Sequence, residues 1–168
     1  YNLTGSLNEA KVDFNKEFKS SFLEKEIKEI FLDKSSLKFD LSKKKESKFF
    51  IEGLYKLTDN RKHKKYKIEN TFNKSASKFN ISLDFDEHII IGLLNYEKKE
   101  DKIANIDAVF NLGNGEIKID SANYKEGKSL ISLNKLEINK KNQIKRFKNI
   151  KVKTFKEGKE NNDFEIIF

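Results

Sequence analysis

Apolar residues recur at every second position along most of this chain. Leu37, Phe39 and Leu41 alternate with polar residues, as do Phe49, Ile51, Gly53, Tyr55 and Leu57. Tyr66, Ile68 and Phe72 mark a third run, and Phe79, Ile81, Leu83 and Phe85 give the cleanest one. Further along come Ala104, Ile106, Ala108 and Phe110, then Ile117 with Ile119, and Ile131 with Leu133. Ile144, the pair Ile150 and Val152, and the pair Phe164 and Ile166 close the series. A period of two puts one apolar and one polar face on each segment, the mark of a half-buried strand. Lys, Asp, Glu, Asn and Ser fill the alternate places, so the second face is expected to meet water.

Turn chemistry separates the runs. Asp59–Lys65 reads as a solvated loop, and Lys156–Asn162 as a longer polar one. Gly113-Asn114-Gly115 is the strongest hairpin turn, because Asn-Gly readily takes positive φ, and Lys125–Gly127 is similar. Strand runs at intervals of about 10 to 15 residues suit an antiparallel meander. They leave no room for the crossover helices that parallel strands need.

One segment departs from this period. Ser21–Lys34 sets Phe22, Leu23, Ile27, Ile30 and Phe31 at helical spacing, with Ser21 and Glu24 placed as a capping box. It predicts a short amphipathic helix. The expected fold is therefore mainly β, an antiparallel meander with one helix over residues 21–34. A helix of about 13 residues is about 20 Å long. Ten strands spaced about 4.8 Å apart make a sheet about 48 Å wide. The helix cannot cover it. The sheet must fold over as a sandwich or barrel, or curl into an open groove or half-barrel lined by Phe, Ile and Leu. An open apolar trough exceeds the patch that monomers tolerate and marks a binding surface.

Composition narrows the chemistry. The 168 residues are 36% hydrophobic and 37% charged, with mean hydropathy −0.75. The 15 Phe and 5 Tyr argue against a disordered chain. The net charge is +8, yet only Arg61 and Arg146 contribute guanidinium groups. Readers of bases and phosphates favour the planar Arg fork, so nucleic acid is not the expected partner. The bias toward Lys, Asn and Ile fits an AT-rich genome better than a selected nucleic-acid surface, and lysine as a point charge suits an anionic membrane surface more than nucleic acid. Without Cys there is no disulfide framework, thiolate metal site or thiol nucleophile. No apolar run reaches the length of a spanning helix, and His88–Leu94 has strand length. The start at Tyr1 without Met, and the stop inside an apolar alternation, lead to the expectation of a single β-rich domain cut from a longer, repetitive protein.

The polar constellations carry little. Asp84, Asp86 and His88 would share one strand face, where they read as a wet face rather than a metal site. His63 stands among lysines. Glu97, Glu100 and Asp101 are mixed with Lys98, Lys99 and Lys102, a solvated charge cluster rather than a catalytic pair. Gly127–Ser129 matches the end of a phosphate-binding loop but lacks the upstream glycine and the following helix. Neither histidine lies near a glycine-framed serine. Asn2-Leu3-Thr4 and Asn73-Lys74-Ser75 are glycosylation-type triplets expected by chance in an Asn- and Ser-rich chain. No catalytic residue, cofactor or metal is expected.

The stretches YNLTGSLNEAKVDF, KFFIEGLYKL, ANIDAVFNLGNGEIKIDSANYKEGKSLISLNKLEI and IKRFKNIKVKTF, with NNDFEIIF, resemble the AsmA-like envelope proteins. The likeness is to the YhdP branch and, at more distance, to TamB. It rests on short amphipathic strands, a G-x-L near strand starts, and Y-x-x-G-x-S-x-I-x-L-x-x-L-x-I across one turn. The resemblance implies a periplasmic protein held to the inner membrane by an N-terminal helix of the parent chain. Its sheet would roll into a groove that passes phospholipids toward the outer membrane. On this chain Phe79, Ile81, Leu83, Phe85, Ile117, Ile119, Ile131 and Leu133 would line the groove and touch acyl chains. The competing expectations are a closed β-sandwich for adhesion or assembly, and a small carrier that holds a single lipid.

Overall fold

The structure, a computed structural model, describes residues 1–43, 46–57, 62–100, 102–141 and 143–168. Part of the expected Asp59–Lys65 loop, and Asp101 of the carboxylate cluster, lie outside the described residues. The strands are β1 (Asn2–Phe18), β2 (Ile27–Asp40), β3 (Ser47–Lys56), β4 (Lys64–Phe72) and β5 (Ala76–Phe85). There follow β6 (Ile89–Ile91), β7 (Tyr96–Lys98), β8 (Ala104–Gly113), β9 (Glu116–Glu126) and β10 (Ser129–Ile138). The last are β11 (Ile144–Arg146), β12 (Asn149–Lys156) and β13 (Lys159–Ile167).

Ten of them form one antiparallel sheet in the order β1-β2-β3-β4-β5-β8-β9-β10-β12-β13, and β11 adds to β10. This is the expected meander with two insertions. The hairpin β6–β7 interrupts it between β5 and β8, and β11 between β10 and β12. Among the described residues there is one large sheet beside the two-stranded β6–β7 hairpin, not the two packed sheets of a sandwich.

The tight turns follow their residues. Asn114 and Gly115 both have positive φ between paired Gly113 and Glu116, and Glu157 and Gly158 repeat this between Lys156 and Lys159. These are type I′ hairpins. Gly127 alone has positive φ before Lys128, the type II′ pattern.

The helix expected over Ser21–Lys34 is not formed. Residues up to Glu26 are a connection, and Ile27 begins a 14-residue strand. As a strand, this segment pairs with β1 on one side and β3 on the other. A helix would leave both ladders open. The apparent helical period arises because apolar residues point both ways from the strand. Ile27, Ile30 and Leu32 pack toward Ile51, Tyr55 and Leu57. Phe31 turns to the other face, where Lys11 and Lys56 stand over its ring. Glu24, the expected capping residue, instead meets His88. His88–Leu94, expected as strand, holds only three strand residues before a 3-10 turn at Gly92–Leu94.

Three irregularities keep the apolar face continuous. Lys34 and Ser35 of β2 oppose the single Gly53 of β3, with Lys34 at positive φ. Leu32 and Leu37, five residues apart, therefore face the same side. On β9 and β10, irregularities at Asp120 and Lys135 do the same for Ile119 with Ala122, and for Leu136 with Leu133. Such bulges also add twist and bend.

The sheet is curled. Ile90 N–H donates to the Phe22 carbonyl at 3.0 Å, and the Asn162 side chain donates to the Leu94 carbonyl at 2.7 Å. Five residues span at most about 18 Å. Phe22 leads into β2 and Asn162 lies in β13, about 38 Å apart in a flat sheet at about 4.8 Å per strand. A sheet bent around the Ile89–Lys98 hairpin, with the β1–β2 connection reaching inward, brings both contacts within range. The molecule stays open all the same. Its accessible surface is 11773 Å², whereas a closed globule of this mass exposes about 8,600 Å².

Close approach at the first irregularity gives a test. A Cβ at Gly53 would stand 2.4 Å from Ser35 Oγ and 2.7 Å from Ser35 Cα. Gly53→Ala is expected to cost about 1–3 kcal/mol in urea unfolding. Gly5→Ala, where nothing lies within 4 Å, is expected to shift the midpoint little.

Candidate functional site

Cross-strand partners share a face, so the register can be followed from edge to edge. One row runs Gly5, Leu37, Ile51, Ile68, Ile81, Ala108, Ala122, Leu133, Ile150, Ile166. Ten strands contribute one residue each, and none is polar. A parallel row on the same face runs Gly53, Tyr66, Leu83, Ile106, Tyr124, Ile131, Val152, Phe164. A third holds Leu3, Phe39, Phe49, Asn70, Phe79, Phe110, Ile119 and Leu136. The next row on the opposite face reads Ser36, Glu52, Lys67, Ser82, Asp107, Asn123, Ser132, Lys151, Glu165.

All eight residues expected to line a groove stand on the apolar face. Ile81 and Leu133 belong to the first row, Leu83 and Ile131 to the second, Phe79 and Ile119 to the third. Phe85 pairs with Ala104 beyond the second row, and Ile117 with Leu112 beyond the third. None of the eight is fully buried. Reading three strands for the lining missed their cross-strand partners, notably Ile68, Tyr66, Ile106 and Phe110, and Ile51 one strand further along the row. Their alternation was the available signal; only the register could join them.

Cover is confined to one rim, where the β1–β2, β3–β4, β5–β8, β9–β10 and β12–β13 connections meet. The segment between β5 and β8 folds onto the apolar face there. Ile89, Tyr96 and Ala104 of this region are buried, with Tyr55, Leu57, Tyr66 and Val152 of the sheet. Tyr96 and Tyr124 share a hydroxyl contact of 2.9 Å, their rings edge to face. Burial pushes the Tyr96 phenol up to about 12, and pushes Tyr124 and Tyr55 up as well. All three stay neutral, and Tyr55 donates to the Asp84 carbonyl at 2.5 Å. Toward the opposite rim no cover exists among the described residues. The Phe-rich third row contains no fully buried apolar side chain. Phe39 with Phe49, and Phe79 with Phe110, pair their rings at 4.7 and 5.1 Å, and Phe49 also borders the buried cluster.

Two polar contacts latch the covering segment. Lys64, whose side chain is 2% exposed on the apolar face, meets Asp86 at 2.5 Å. His88 lies between Glu24 at 2.6 Å and Glu97 at 3.0 Å. Hydrogen bonds from Glu24 and then Glu97 raise its pKa above the ordinary 6.5. The three residues read as one wet strand face, Asp84, Asp86 and His88, have separate partners. Asp86 serves Lys64, His88 serves two carboxylates, and Asp84 accepts from Asn105 at 2.7 Å. Glu97 and Glu100 go to His88 and Lys25. Ser129, of the phosphate-loop look-alike, accepts the Phe155 N–H at 3.0 Å. Among the described residues the arrangement offers an apolar concavity, and these polar groups are engaged with partners of their own.

Comparison with protein-family models, curated proteins and solved structures finds no match.

Removing one partner of a buried pair strands the other charge, at a cost of about 3–5 kcal/mol. Asp86→Ala is expected to destabilise at the lower end of that range in urea unfolding. Lys64→Met combined with Asp86→Ala should recover most of the loss. A histidine whose folded pKa is raised contributes fully below its unfolded value and loses that contribution as pH rises through the folded one. Amide exchange of Ile89–Lys98, corrected for intrinsic rate, should therefore quicken from about pH 5.5 to about pH 8.5. In His88→Gln the change should vanish.

Proposed function

We propose that this chain is a segment of a periplasmic β-groove of the AsmA-like kind, which holds phospholipid acyl chains and conducts them between inner and outer membrane. The observation that carries the reading is the row from Gly5 to Ile166, apolar at every strand and open along one rim. Burying an acyl chain of about 16 carbons is worth about 12 kcal/mol at about 0.8 per CH₂. A bilayer offers nearly the same, so a lipid exchanges with such a surface without chemical work. The groove acts by shape and apolarity, with no catalytic step. The parent protein supplies the inner-membrane attachment and the further strands.

A second reading is a carrier for a single lipid. The Ile89–Lys98 hairpin favours it, because it closes one side of the concavity and shortens the free run of the trough.

Mass spectrometry of organic extracts from the gently purified chain tests both. Phospholipid should be present, and should be lost in Leu83→Asp and Ile131→Asp variants that keep their β circular dichroism. More than one lipid per chain favours the conduit, and a single one the carrier. Lipid-free folded protein, or unchanged lipid in the folded variants, contradicts both.

A further inference from the structure

The two rims of the sheet differ in more than cover. The chain passes the uncovered rim in four segments, residues 40–48, 72–78, 111–118 and 137–148. They hold twelve Lys or Arg against four Asp or Glu. The segments of the covered rim, 19–28, 56–65, 85–103, 125–130 and 155–160, hold fifteen against eleven. The excess of cations is eight at the uncovered rim and four at the covered one. Two of the four carboxylates at the uncovered rim, Glu116 and Glu137, are engaged by Lys145 and Arg146. Lys43, Lys74, Lys140, Lys141 and Lys148 make no ion pair among the described residues.

Apolar side chains stand among these cations. Leu41 is 38% exposed, Leu112 38% and Ile144 61%. A cleft of about 910 Å³ opens beside them, lined by Lys43, Phe72 and Lys74. A second, of about 530 Å³, is lined by Lys118 and Phe147, with Lys135 paired to Asp120 and Arg146 to Glu137. Lysines around exposed apolar side chains suit the boundary between headgroup and acyl chain. Single-stranded nucleic acid would need free aromatic faces in a cationic channel. Within the four segments the exposed large apolar residues are the aliphatic Leu41, Leu112 and Ile144, and the exposed rings of Tyr1 and Phe168 stand beside the two edge strands, not along one channel.

We propose that the uncovered rim docks on an anionic phospholipid bilayer, with Leu41, Leu112 and Ile144 set into the headgroup boundary and the unpaired lysines above it. This rests on the acyl-chain reading, since docking there turns the uncovered Phe-rich end of the concavity toward the lipid. Each lysine near an anionic surface adds about fivefold to partitioning. The covered rim, closed by its hairpin and with half that excess of cations, faces away.

The test is flotation with phosphatidylcholine vesicles, with and without phosphatidylserine, and titration with a single-stranded oligonucleotide. The rim variant carries Lys43→Glu, Lys74→Glu, Lys140→Glu and Lys141→Glu. A control with the same change in net charge carries Lys62→Glu, Lys99→Glu, Lys102→Glu and Lys159→Glu on the covered rim. The chain should bind only the phosphatidylserine vesicles, more weakly as salt rises. The rim variant should lose more than about tenfold, and the control should keep most of its binding. Absence of vesicle binding, equal loss in both variants, or rim-dependent binding to the oligonucleotide alone overturns the proposal. Lipid retained in the purified chain without vesicle docking defeats this proposal and leaves the acyl-chain reading standing.

Discussion

Cross-strand register is the constraint on which this structure depends. Side chains alternate with a period of two, so a slip of one residue at any ladder would send a whole strand's apolar set to the wrong side. Nine successive ladders hold the register from Gly5 to Ile166. Where the strands drift, a compensating irregularity restores it. Lys34 and Ser35 against Gly53 do this early in the sheet, and Asp120 with Lys135 late in it. Asp120 is held there by Lys135 and Asn111, each at 3.1 Å, so the irregularity has partners of its own.

The curl follows from the same sheet. Twist and bulges bend a large sheet, and the covering segment fixes the direction of the bend. It is tied to the β1–β2 connection by Leu23, Phe22 and Glu24, and to the β12–β13 end by Asn161 and Asn162. Both ends of the sheet are thereby drawn toward the apolar side. Cover and curvature are one device, and it closes one rim while leaving the other open.

The alternation and turn residues made most of this legible from the sequence. Asn114-Gly115 marked its hairpin, and the meander followed from strand spacing. The segment Ser21–Lys34 misled because Ile27, Ile30 and Phe31 satisfy a helical period while serving both faces of a strand. Which face Phe31 takes is decided by β1 and β3, which lie outside that window. The cover was also hidden. His88–Leu94 read only as an apolar run of strand length, and nothing in it showed that Tyr96 would reach Tyr124 on a distant strand. Charge asymmetry between rims likewise needs the topology, because the lysines involved come from four separate connections.

The central claim is that acyl chains lie on one face of this sheet. The most direct measurement places a photoreactive residue in turn at each position from Phe79 to Leu83 and analyses the irradiated adducts by mass spectrometry. The account predicts phospholipid adducts at Phe79, Ile81 and Leu83, and none at Asn80 or Ser82. Adducts at every position alike, or at none while the chain remains folded, would contradict it.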